Sequence, residues 1–106
     1  MEKLLKKYLP MTETFFYILS SLTQARHGYA VIKHVKEITD NRINLGAGTI
    51  YGSLSKMQRD GLISLYEDKD RKTVYLITET GRELLRAEIE RIKKVYNYII
   101  EVEGNI

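Results

Sequence analysis

At 106 residues the chain has room for one hydrophobic core and one appended element, which excludes a two-domain enzyme. Its 43% hydrophobic and 29% charged residues are the proportions expected of a folded, water-soluble domain, and the absence of Cys removes disulfides, thiolate catalysis and Cys-ligated zinc together. Lys+Arg 17 against Asp+Glu 14 leaves a net charge of +3, which permits an anionic partner without requiring one.

From Met1 to Pro10 the apolar Leu4, Leu5, Tyr8 and Leu9 are interrupted by Lys3, Lys6 and Lys7, so no signal-peptide core forms. No later stretch is apolar enough to span a bilayer, and residence in the cytoplasm is expected. Thr12 is placed to cap a first helix whose Phe15, Ile18, Leu19 and Leu22 recur at helical spacing. Arg26-His27-Gly28 breaks it, and Val31, Ile32, Val35 and Ile38 trace the apolar face of a second helix. After the turn-rich Thr39 to Arg42, a very short extended piece is expected at Ile43 to Leu45. A third helix then runs to about Asp60 on the stripe Ile50, Leu54 and Met57, closed by Gly61 as a left-handed cap.

Beyond Gly61 the period changes. Leu62 to Tyr66 and Thr73 to Ile77 are β-branched and aromatic runs flanking the charged tip Asp68 to Lys72, which predicts a hairpin. Thr78 caps a long last helix in which Leu85, Ile89, Ile92, Tyr96 and Ile99 alternate steps of four and three, a seam that asks for a partner helix. The fold class expected is mainly α with a small β-hairpin. It is a winged helix-turn-helix within residues 1–81, followed by one long C-terminal dimerisation helix in residues 82–106.

In such a fold the third helix enters the major groove and the hairpin reaches a neighbouring backbone. With Ile50, Leu54 and Met57 inward, steps of 100° point Gly48, Gly52, Ser55, Lys56 and Arg59 outward, with Thr49 and Tyr51 on the flanks. Two outward glycines each cost roughly 1 kcal/mol of helix stability relative to Ala, and close approach of another backbone explains their presence. Ser55 and Lys56 are able to donate to bases or phosphates, and Arg71 and Lys72 suit phosphate contact. Arg59 lies further from the end of the helix that reads bases.

Several stretches are specific in combination: His27-Gly28-Tyr29-Ala30-Val31-Ile32, Gly48-Thr49-Ile50-Tyr51-Gly52 within Leu45 to Leu54, Asp60-Gly61-Leu62-Ile63, and Arg71 to Gly81 with its Tyr75-Leu76-Ile77-Thr78-Glu79. Together they make Thr12 to Gly81 resemble the PadR family of bacterial transcription regulators. The resemblance implies a winged-helix reader of palindromic promoters, usually a repressor, dimerised through its C-terminal helices. It also implies release by a small hydrophobic or phenolic effector. A single helix after Gly81 is similar to the short branch of that family, whose multidrug-sensing members carry a Trp in a central pore. This chain has no Trp, and Ile92 stands at the matching position, which argues against flat aromatic drugs. Tyr96 and Tyr98 are open to two readings, lining of an interface cavity or plain dimer packing.

Other assignments divide in the same way. His27 is either a phosphate contact or a loop residue; Tyr29 either meets the DNA backbone or packs under the hairpin; Tyr51 either packs on the second helix or meets DNA. The resemblance favours DNA for Tyr51. Lys56 is a DNA contact or part of a solvated face. His27 and His34 lie seven apart without carboxylates at ligand spacing, so no metal site is expected. Gly46 to Gly52 fails as a dinucleotide fingerprint because its third glycine comes one residue late. No cofactor and no catalytic residue is expected, since two His and no Cys assemble no nucleophile with its base. The expected partners are an operator duplex and a second copy of the chain. A winged-helix module that binds protein instead of DNA is the rival reading.

Overall fold

The computed structural model describes residues 1–106, the side chain of Lys69 excepted. Its elements are α1 (Glu2–Tyr8), α2 (Glu13–Ser21), β1 (Arg26–His27), α3 (Gly28–Ile38), α4 (Ala47–Arg59), β2 (Ile63–Lys69), β3 (Lys72–Ile77) and α5 (Glu79–Glu103). The predicted first, second, third and last helices are therefore α2, α3, α4 and α5.

Local chemistry explains the helix boundaries. Thr12 Oγ1 accepts the Phe15 N–H at 3.1 Å to start α2, and Thr78 Oγ1 accepts the Gly81 N–H at 3.1 Å to start α5. α4 ends in a Schellman motif: Gly61 at φ 75° lets Leu62 N–H reach Met57 O and Gly61 N–H reach Gln58 O. Gly81 is required for a different reason. A Cβ there would stand 2.1 Å from the Leu62 carbonyl oxygen, because the first turn of α5 lies directly on the chain entering β2.

The core gathers Ile18, Leu19 and Leu22 from α2, Val31 and Val35 from α3, and Ile50, Leu54 and Met57 from α4. Leu62, Ile63 and Ile77 close it from the hairpin, and Leu84 and Leu85 from α5. The sheet is antiparallel in the order β1-β3-β2, with an irregularity between Leu65 and Glu67. Asp70 and Arg71, both at positive φ, form the two-residue turn between paired Lys69 and Lys72.

Two elements depart from the sequence reading. The short strand is at Arg26–His27, pairing with Tyr75 and Val74 of β3, and not at Ile43 to Leu45. Ile43 and Leu45 still pack against the core, so their alternation reflects burial without a ladder. The N-terminal stretch, expected only to lack a signal core, forms α1. Glu2 lies in its first turn, Lys6 and Lys7 in its last, and Tyr8 is buried.

One buried charge ties the ends of the chain together. Glu88 of α5 is 1% exposed and accepts the Met11 N–H at 2.9 Å and the Arg91 guanidinium at 2.6 and 3.0 Å. Those bonds, Arg91 first, hold its carboxyl below the ordinary glutamate range. A depressed carboxylate stabilises fully above its unfolded value, and that contribution is lost as pH falls through the folded value. Urea midpoints of the wild type should therefore drop more steeply between about pH 6 and pH 3 than those of Glu88→Gln. Parallel curves would show that Glu88 carries no linkage.

Candidate nucleic-acid interface

His27 ends β1 and caps α3: its Nδ1 accepts the Ala30 N–H at 3.2 Å. In the neutral ring the proton then resides on Nε2, leaving that nitrogen as a donor. Gly28 follows as the first residue of α3, and the ring of Tyr51 from α4 lies over it. A Cβ on Gly28 would meet that ring at 2.9 Å. Tyr51 thus packs on the start of α3 and remains 48% exposed, so the two readings of this residue are compatible. Tyr29 is 71% exposed, which removes the alternative that it packs under the hairpin.

These residues face the hairpin across a cleft of about 410 Å³. Five of the predicted contacts, His27, Tyr29, Tyr51, Arg71 and Lys72, line it together. Among the described residues neither Arg71 nor Lys72 is held in an ion pair. Arg71 occupies a left-handed turn position, φ 62°, that favours glycine or asparagine, so a long cation is kept there against backbone preference. The cleft also includes Thr73 and Tyr75, which the sequence reading missed. They share one face of β3 at period two, a signal that becomes useful only once β3 is known to border α3 and α4.

Thr49, Gly52, Ser55 and Lys56 lie outside that cleft. Gly48 and Gly52 open onto empty space, since a Cβ at either would meet nothing within 4 Å. Ser55 and Arg59 lie on the same exposed face. Gly46 caps α4 without a side-chain bond, which leaves first-turn N–H groups to solvent or to an anion. Lys56 is exposed as well. Its ammonium lies 5.3 Å from the ring centroid of Tyr8 in α1. The sequence reading had no α1 to set beside it.

Of the predicted seam, Leu85 is buried in the chain's own core and Ile89 packs against it. Ile92, Tyr96 and Ile99 are exposed, as is Val95 beside them. No group of metal-ligating side chains occurs among the described residues, and no helix of the described chain is long and apolar enough to cross a membrane.

The sequence profile of the transcriptional regulator PadR-like family matches residues 18–87, more than half of the chain and all of the elements that build the cleft. The chain belongs to the PadR-like family. That family is one of transcriptional regulators. It is similar to the transcriptional regulator YqjI of Escherichia coli K12, 29% identical over 69 residues, a match covering 65% of this chain and 33% of that protein. The chain spans about a fifth to a third of the length of the curated relatives it matches. Among solved structures, a PadR family regulator from Clostridium difficile R20291 superposes with a TM-score of 0.67 at 26% identity, over 84% of this chain and 99% of that one. A transcriptional regulator from Clostridium thermocellum shares the fold with a TM-score of 0.69 at 24% identity, over 93% and 96% of the two chains.

Proposed function

We propose that this PadR-like protein is a cytoplasmic repressor that binds a palindromic operator as a homodimer. The observation that carries the reading is the shared cleft: residues from β1, α3, α4 and the hairpin converge where a phosphate backbone would run, beside an α4 face bare of side chains at Gly48 and Gly52. In this reading His27 Nε2, the Tyr29 and Tyr51 hydroxyls, Arg71 and Lys72 hold phosphates and fix register, while α4 enters the major groove. Close approach at Gly52 brings Thr49 and Ser55 to base edges. Lys56 acts as a phosphate contact next to α1.

Support for dimerisation comes from the exposed second half of α5. Ile92, Val95, Tyr96 and Ile99 form one stripe with no partner in a single chain. The stripe continues into a cleft of about 380 Å³ lined by Met11, Phe16, Tyr17 and Ile92 beside the Glu88–Arg91 pair. The partner's helix would cover both. A small hydrophobic or phenolic effector would enter this same region, where it competes with or reshapes the seam and so alters the spacing of the two reading heads.

Selection of bound duplexes from a random pool tests the reading in one measurement. The enriched site should be a pseudo-palindrome with half-site centres about 34 to 36 Å apart, or a multiple of that spacing. Failure to enrich any duplex would sink the DNA-binding reading, and an asymmetric single-copy site would sink the dimer.

A further inference from the structure

The segment from Lys7 to Met11, the last residues of α1 and the three after it, is held by polar bonds at both ends, and those bonds lead to the two functional helices. At one end the Tyr8 hydroxyl donates to the Asp60 carboxylate, which is also gripped by Lys7 at 2.8 Å. Asp60 is the C-cap of α4. The Tyr8 ring is 7% exposed, stacks on Phe15 of α2 at 4.6 Å between centroids, and carries Lys56 of α4 on its face. At the other end the Met11 N–H is bound by buried Glu88 of α5. Only Leu9 and Pro10 separate the two anchors.

We propose that Tyr8 and Glu88 are positioning residues for DNA reading: the Tyr8–Met11 segment links the dimer helix α5 to the last turn of α4 and sets the tilt at which α4 meets the groove. The proposal rests on the DNA-binding reading above. α4 is otherwise held along its buried stripe and, near its start, by Tyr51 packed over Gly28, which leaves a rocking of its last turns as the motion to be restrained. A bond at its C-cap, lateral to that stripe, removes the rocking motion. Burial and then the Asp60 carboxylate push the Tyr8 phenol up, and the Lys7 and Tyr8 bonds hold the Asp60 carboxyl low, so donor and acceptor keep these roles across the physiological range. None of the three groups lines the cleft beside the hairpin, so their substitution leaves the phosphate contacts proposed within that cleft in place.

The variants that test it are Tyr8→Phe, which keeps the ring and its stacking, Asp60→Asn, and the pair combined. Each is titrated as the full-length dimer on the selected operator and on a scrambled duplex, with thermal unfolding followed in parallel. The operator-to-scrambled affinity ratio should fall about three- to ten-fold in each single variant, and the double variant should be no worse than the worse single one. Glu88→Gln should lower the same ratio. A merely structural role lowers Tm and leaves the ratio of the folded dimer untouched, and that result in Tyr8→Phe and Asp60→Asn overturns the proposal. A wild type that binds both duplexes equally refutes the reading of α4 itself and takes the proposal with it, whereas a discriminating wild type with unaltered variants refutes the link alone.

Discussion

Replacing Gly52 with Leu is expected to abolish preference for the operator while Tm stays level or rises. The two halves of that expectation have separate causes. Within the chain a side chain at Gly52 meets nothing within 4 Å, so the substitution disturbs no packing, and Leu is the better helix former by up to about 1 kcal/mol. In the groove, however, the added isobutyl group stands between the α4 backbone and the base edges. Operator affinity should then fall to the level of scrambled duplex, a loss of about a thousand-fold or more. Arg71→Ala supplies the contrast. A phosphate contact at the hairpin tip carries no sequence information, so every duplex should weaken alike and the slope of log affinity against log salt should shrink by about one unit. Titrations of both variants on operator and scrambled duplex at several salt concentrations separate the two roles. If folded, dimeric Gly52→Leu binds the operator as tightly as the wild type, α4 is not the reading element.

How far the sequence led depended on whether each feature was written locally. The stripes of α2, α3 and α4, apart from the exposed Ile38 at the end of α3, the Thr12 and Thr78 caps and the Gly61 stop came through, because periodicity and capping are properties of neighbouring residues. β1 was misplaced because a two-residue strand has no alternation of its own and exists only where β3 offers an edge. α1 was missed because seven residues are too few for a helix to stand alone, and this one is held by burial of Tyr8 and by Asp60, fifty-two positions away. That omission hid the Tyr8 ring beside Lys56 in turn. The cleft shows the reverse case: His27, Tyr29, Tyr51, Arg71 and Lys72 were named one by one from residue type and family resemblance, but that they share one concave surface is a fact of packing alone.

The remaining large effect is on assembly. Ile92→Glu should give a folded monomer by light scattering where the wild type gives two chains at micromolar concentration. Ile92 lies where α5 leaves the core: Leu84, Leu85 and Glu88 are buried before it, and at 39% exposure Ile92 is the first of the exposed apolar stripe. The fold should therefore survive the change, while the seam should not. Each aliphatic side chain that a partner covers contributes roughly 1.5 to 3 kcal/mol, and two-fold symmetry counts every substitution twice. A carboxylate at this position loses that contribution and adds an unpaired buried charge in each subunit, a further cost of several kcal/mol. DNA binding should suffer without any change in the reading heads. Two linked heads bind a palindrome more tightly than one by about a hundred-fold or more, so the monomer should lose that factor on the operator and keep its single-head affinity for a half-site. A wild-type chain that stays monomeric at micromolar concentration, or an Ile92→Glu chain that still dimerises, would show that the partner of α5 is not a second copy held along this stripe.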